Sequence, residues 1–331
     1  VTDKKILIFM RPCDVNAMEH QNKIYLGNGG YSDLYYQRLQ EKVKIILMEC
    51  TSGWDTCFCV SMQANKTDNY SLAIRHLDNE VLIEVKESEF EKYFMEAPKD
   101  DFEVSFIEEN EVKVTVPEIK DKETLLKLKQ HSMWQTFNSR CISCGACTIA
   151  CATCTCFTTT DLIYNENASI GERRRTAASC QVDGFSDMAG GHAFRPTAGD
   201  RMRYKILHKF HDYKARFNDY HMCVGCGRCT SRCPEYISVT ATVEKMATAV
   251  AEIEVKGDTM NNPIKPIPST ILEIKRESNL EYTFKVATNI KPEHGQFLQL
   301  SIPKIGEAPI SVSAQGEGWL DFTRRSVGKV T

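Results

Sequence analysis

Two cysteine quartets constrain this chain more than any other feature of it. Cys141-Ile-Ser-Cys144-Gly-Ala-Cys147-Thr-Ile-Ala-Cys151 is answered by Cys223-Val-Gly-Cys226-Gly-Arg-Cys229-Thr-Ser-Arg-Cys233, each spaced C-x2-C-x2-C-x3-C. Three thiolates at this spacing reach three corners of a four-iron, four-sulfur cube from one tight loop. The fourth cysteine, a helical turn further on, points away and serves the neighbouring cube. The spacing predicts one [4Fe-4S] cluster on Cys141, Cys144, Cys147 and Cys233, and a second on Cys223, Cys226, Cys229 and Cys151. A structural zinc site takes four ligands from two C-x2-C pairs, not eight in two even quartets. Disulfides are the other alternative, but no segment reads as a secretory signal, and quartets this dense suit clusters better. One asymmetry stands out. Cys233 is followed by Pro234 and Cys151 by Ala152, which removes turn rigidity from the first quartet but no ligand.

Composition sets the context. With 331 residues the chain can build two or three domains, and its fifteen cysteines point to metal in a reducing, cytoplasmic compartment. A net charge of −3 gives no global basic field to recruit nucleic acid, and no apolar run approaches the length of a membrane span. The expected class is multidomain α+β. A mixed α/β region covers 1–120, and an α-helical two-cluster ferredoxin domain with an insert covers 121–250. A linker follows at 251–269, and 270–331 read as a partial all-β barrel of the flavodoxin-reductase type.

In the first region, Lys5–Met10 and Lys44–Glu49 read as buried strands flanking a helix over Ser32–Val43, capped by Ser32 or Asp33 after a turn at Gly27–Gly30. Tyr70–His76 with Val81–Val85 predict a hairpin, and Glu103–Ile107 with Glu111–Val116 a second. The apolar start directly after Val1 suggests a strand entered partway through a domain. Cys13 lies just past the first strand, Cys50 closes the second, and Cys57 and Cys59 follow at once. Loops at the carboxyl ends of parallel strands converge, so these four thiols could hold a third [4Fe-4S] cluster. The alternative is that two or more are ordinary buried cysteines.

Glu123–Arg140 predicts a helix leading into the first quartet. Cys154 and Cys156 follow that quartet closely and read as buried neighbours rather than ligands. Residues 152–222 make an insert longer than a compact ferredoxin needs. It carries Arg173-Arg174-Arg175, read as a solvated face, and an amphipathic helix over Asp200–Asn218 with Met202, Ile206, Phe210 and Tyr213 on one side. His192, His208 and His211 read as structural histidines.

Several of these features occur together and in order. They are the Arg-Pro-Cys-Asp turn, Cys57-Phe-Cys59, the quartet with Cys154 and Cys156, Ser179-Cys180, Met188–His192 and Ile206-Leu-His-Lys209. The combination resembles the iron–sulfur subunit of anaerobic sulfite reductase, and more distantly the β subunit of cytoplasmic sulfhydrogenases. The resemblance covers residues 1 to about 250 and implies that the family's N-terminal portion is absent. It implies an electron-carrying subunit, without a complete catalytic site, between an NADH-oxidising flavoprotein and a sirohaem sulfite reductase subunit.

Beyond the Pro- and Asn-rich Asp258–Ser269, short β patterns recur at regular spacing. Gly295-Gln-Phe297 and Ala308-Pro-Ile-Ser311-Val-Ser313 resemble the flavin-binding barrel of ferredoxin-reductase-type enzymes. The resemblance implies that Ser311 and Ser313 contact flavin, with Gly328–Thr331 opening the pyrophosphate turn. Ala308 stands where the motif carries arginine, and the chain stops at Thr331, which makes FAD binding doubtful. The segment is most similar to the opening of the flavoprotein subunit of the same reductase, with Met260 as its initiator. A truncated second protein joined to the first is the favoured reading, a fused flavoprotein the other. Two alternative functions stand beside the sulfite relay: a sulfhydrogenase or hydrogenase β subunit, and an assembly module whose clusters are structural only.

Overall fold

A computed structural model describes residues 4–167, 169–259, 266–293, 295–302 and 305–325. Val1, Met260 and the Gly328–Thr331 turn lie outside the described residues. The chain forms two compact units, Val1–Asp258 and Thr259–Thr331. No described helix is long and apolar enough to cross a membrane.

The first unit opens with β1 (Ile6–Met10), α1 (Pro12–Gly27), α2 (Leu34–Gln40), β2 (Val43–Met48), β3 (Leu72–His76) and β4 (Val81–Val85). They build one sheet in the order β1-β2-β3-β4. The first three strands run parallel, Ile8 opposite Ile45 and Leu47 opposite Ala73, and β4 closes the sheet antiparallel. Both strands of the expected parallel pair and the first hairpin are present. Asp33 caps α2 by accepting from the Tyr36 amide.

Two expectations fail here. A whole helix, α1, went unforeseen between β1 and the turn at Gly27. Pro12 sits in its first turn, where the missing amide costs nothing, and the Asp14 carboxylate accepts from the Arg11 amide. Its buried residues, Val15, Ala17, Met18 and His20, do not gather on one stripe, so no helical period announces it. The second hairpin does not form. Phe106 bridges Cys50 in parallel, and Val112, Val114 and Val116 turn into the core, the Val114 amide donating to Ser61 Oγ.

Next come α3 (Lys122–Gln130), α4 (Phe137–Arg140) and α5 (Ala146–Ile149). The helix expected over 123–140 breaks at His131, whose extended backbone ends α3. The insert holds the hairpin β5 (Phe157–Ile163) and β6 (Gly171–Ala177), then the short pair β7 (Asp187–Met188) and β8 (His192–Ala193). α6 (Ala198–Leu207) passes through a π-helical turn at His208–Asp212 into α7 (Tyr213–Phe217), and α8 (Arg228–Ser231) and α9 (Val239–Thr259) complete the unit. Met202, Ile206, Phe210 and Tyr213 are all buried, as the amphipathic pattern requires. α9 runs on through the first part of the expected linker, because Val243, Met246, Ala249, Val250 and Ile253 keep a helical period into the core. That core also contains Ala17 of α1, Phe58, Leu128 and Phe137, so α1 and the quartet-bearing helices share it.

In the second unit, β9 (Ile271–Arg276), β10 (Glu281–Ala287), β13 (Ala314–Gly316) and β14 (Trp319–Arg325) form an antiparallel sheet ordered β13-β14-β10-β9. β11 (Phe297–Ile302) and β12 (Gly306–Ser311) pair separately. Ile310, Leu320 and Phe322 make its small core. Among the described residues neither sheet closes into a barrel.

Candidate metal centres

The two quartets fold into matching loops. In each, a left-handed glycine, Gly145 (φ 76°) or Gly227 (φ 69°), starts a one-turn helix that carries the third cysteine. The hydrogen bonds repeat position by position. Thr148 N–H donates to Gly145 O at 2.9 Å, as Thr230 does to Gly227 at 3.0 Å; Cys151 N–H donates to Thr148 O, as Cys233 does to Thr230. α5 and α8 pack against each other, which brings the fourth cysteine of each quartet to the other's loop.

Two adjoining cavities result. Cys151, Cys223, Cys226 and Cys229 line one of about 20 Å³. Cys141, Cys144, Cys147 and Cys233 line one of about 30 Å³, which Cys229 also borders. Each is larger than a single water needs. The crossed sets expected from spacing therefore face common spaces. Among the described residues no three Cys, His, Asp or Glu side chains converge closely enough to hold a single metal ion. A tetrahedral zinc would need sulfurs about 3.8 Å apart, from its Zn–S length of about 2.3 Å. Four sulfur donors spread around one space, with a mostly apolar lining, fit the larger four-iron group.

The turn after Cys151 is not the loose half that Ala152 suggested. Gln21 Nε2 donates to Ala152 O at 2.7 Å, and the buried Lys209 ammonium donates to Thr153 O at 3.2 Å and Oγ1 at 2.9 Å. Burial pushes the Cys151 thiol up, but Lys209, the Thr153 hydroxyl and Lys205 together bring it below its ordinary value. Burial alone dominates at Cys223 and at Cys226, which is raised to about 11.

The loop carrying Cys57 and Cys59 docks on the second quartet. Phe58 N–H donates to Gly225 O at 2.8 Å, and a Cβ at Gly227 would lie 2.2 Å from Thr56 O. Asp14 of α1 grips Arg228 of α8 through two bonds of 2.5 and 2.8 Å. Cys57 Sγ lies 3.8 Å from Cys226 O, Cys59 Sγ 3.6 Å from Asn110 Oδ1, and Cys50 Sγ 3.5 Å from Ser52 O. The half-buried Cys13 thiol, raised chiefly by desolvation, also feels the charges of Cys226 and Cys59, and Cys50 feels that of Cys57. All four thiols of the expected third set thus lie in one neighbourhood, beside the second quartet.

A further thiol group was not foreseen. The Cys156 thiol lies beside those of Cys154 and Cys180, because the β5–β6 hairpin brings Ala178 opposite Cys156. Sharing that contact lowers Cys154 to about 6 and raises Cys156. The arginine run lies on exposed β6 and makes ion pairs: Arg173 to Asp161, Arg174 to Glu172 and Arg175 to Asp33. His192 is exposed, His211 pairs with Asp212, and His208 stacks on Tyr204. In the second unit Ser311 and Ser313 are exposed, and Ser313 Oγ accepts from Thr323 Oγ1 at 3.0 Å.

The residues that sequence reasoning missed are cations. Arg201, Lys205 and Lys209 are buried at four-residue intervals along α6 and its π-helical turn. Arg201 Nη2 donates to Ser143 Oγ at 2.8 Å inside the first quartet, Lys205 Nζ lies 3.5 Å from Cys147 O, and Lys209 faces the second quartet's cavity. Their signal was basic residues at i, i+4 and i+8, beside an apolar stripe.

Comparison with known proteins agrees with this geometry. Residues 140–237 match the family model of the 4Fe-4S dicluster domain. Over 259 residues the chain is 29% identical to the beta subunit of sulfhydrogenase 2 from Pyrococcus furiosus, covering 74% of this chain and 75% of that one. No solved structure matches the chain.

Proposed function

We propose that this chain is an iron–sulfur electron-transfer subunit of a multi-subunit oxidoreductase. Cys141, Cys144, Cys147 and Cys233 hold one [4Fe-4S] cluster, and Cys151, Cys223, Cys226 and Cys229 hold the other. The observation that carries this reading is the pair of adjoining cavities, each faced by one crossed set of four thiols, with Cys229 bordering both. Bound there, the clusters supply one-electron oxidation and reduction. The chain's own part is to present thiolates from rigid glycine-started turns, exclude water with apolar walls, and place positive charge beside the sulfurs. Cys13, Cys50, Cys57 and Cys59 would hold a third cluster next to the Cys223–Cys229 loop.

The partners follow from two observations. The relative is a sulfhydrogenase subunit, which favours a hydrogenase-type catalytic partner. The combined turn and insert motifs favour a sirohaem sulfite reductase with an NADH-oxidising flavoprotein. Ser311 and Ser313 are exposed among the described residues, and in this reading the flavin is carried by the NADH-oxidising partner.

Anaerobic reconstitution with iron and sulfide tests the core of this reading. About eight iron atoms per chain and two interacting four-iron signals in electron paramagnetic resonance are expected, with about twelve irons if the third site fills. Zinc in place of iron, or iron that cannot be reversibly reduced, would sink it. Reduced protein re-oxidised only by a hydrogenase subunit, or only by a sulfite reductase subunit, decides the partner.

A further inference from the structure

Lys205 and Lys209 are 4% and 8% exposed and carry their ammoniums into the region between the quartets. Lys205 lines both cavities, and Lys209 lines only that of Cys151, Cys223, Cys226 and Cys229. Their hydrogen-bond partners are neutral: Cys147 O for Lys205, and Thr153 O, Thr153 Oγ1 and Met222 Sδ for Lys209. Among the described residues neither ammonium pairs with a carboxylate. An unpaired buried charge costs several kcal/mol, and two like charges one helical turn apart add repulsion. The anions available to offset this are the thiolates.

We propose that Lys205 and Lys209 are the fixed counter-charges of the two thiolate sites, Lys205 serving both and Lys209 only the second, and that they set the sites' reduction potentials. The inference rests on the relay reading above. A cluster and its four thiolates gain negative charge on reduction, and a nearby cation favours the reduced form, raising the potential. Net charge near a cluster is one of the levers by which proteins set such potentials. The shared position of Lys205 makes the effect common to both sites. Lys209 adds charge at the second site only, so the two sites respond differently to its removal.

The test is a potentiometric titration, followed by electron paramagnetic resonance, of the reconstituted full chain and its K205M, K205R and K209M variants. K205M is expected to lower both midpoints, each by about tenfold in the reduced-to-oxidised ratio, or about 59 mV for a one-electron couple. K209M is expected to lower one midpoint only, and K205R, which keeps the charge, to leave both near the wild-type values. Loss of iron from K205M but not from K205R also supports the assignment, since charge then decides retention. Unmoved midpoints in an iron-loaded K205M, or loss of iron from K205R as well, overturn it. Wild-type protein with fewer than two reducible clusters sinks the relay reading instead, so the two failures are distinguishable.

Discussion

Gly227 shows how little room the site leaves at the scale of one residue. Its φ of 69° suits glycine, and an added Cβ would also strike Thr56 O at 2.2 Å. Gly29 has a similar φ of 77° with nothing within 4 Å. Gly29→Ala should cost about 1 kcal/mol in urea unfolding, from backbone strain alone. Gly227→Ala should cost about 3 kcal/mol or more, because strain and overpacking combine against a backbone that cannot yield. Equal costs would show that the Thr56–Cys59 loop is not held on the second quartet. The cysteines separate in the same way. Cys144→Ser and Cys226→Ser are each expected to lower reconstituted iron by about four atoms per chain, and Cys156→Ser to leave it unchanged. The Cys156 thiol lies beside those of Cys154 and Cys180 and lines neither quartet cavity. The two crossed thiol sets that face the cavities were legible in the sequence because C-x2-C-x2-C-x3-C is a local geometric statement. The Cys154–Cys156–Cys180 contact was not, since it depends on a hairpin whose arms pair across residues 157–177.

At the scale of elements, α6 and its π-helical turn do two jobs with one sequence. One face buries Met202, Ile206 and Phe210, and the other aligns Arg201, Lys205 and Lys209 along the quartets. Arg201→Met should weaken iron retention at the Cys141 site, because its guanidinium holds Ser143, a residue at φ 58°, while also pairing with Asp183. Slower iron loss to a chelator in Arg201→Met than in wild type would contradict this. The same segment sets an acid limit. Burial, with help from Lys209, pushes His208 down to about 4. The unfolded chain then takes up this proton first as pH falls. The contribution of His208 is fully present above about 6.5 and is lost between there and about 4, at up to about 1.4 kcal/mol per pH unit. A urea midpoint that drops less on acidification to about pH 5 in His208→Gln than in wild type is the expected result. The amphipathic period made this helix readable in advance. α1 was invisible to the same reasoning because its buried residues face two different neighbours, the sheet through Val15 and Met18 and the quartet-bearing core through Ala17.

For the whole molecule, the two units have separate hydrophobic cores, one built on Met246, Val243 and Leu128, the other on Ile310, Leu320 and Phe322. Deleting residues 259–331 is therefore expected to leave iron content and the urea midpoint of the first unit unchanged. A loss of iron on that deletion would show that the strands contribute to the cluster sites.

The sequence by itself determined the chemistry: eight thiols in two crossed sets, a parallel strand pair, an amphipathic helix beside them and a β-rich end. These follow from short-range spacing, which constrains a few bonds' worth of geometry wherever the chain goes. Only the tertiary structure decided what surrounds the quartets. Gln21 and Lys209 brace the turn that Ala152 leaves without a proline, Phe58 locks onto Gly225, and Lys205 stands between the two cavities. Gln21, Lys209, Phe58 and Lys205 are separated from their partners by about fifty residues or more, and packing, not periodicity, brings them together. The matched quartets place the thiols, and the buried ammoniums complete the electrostatics around them.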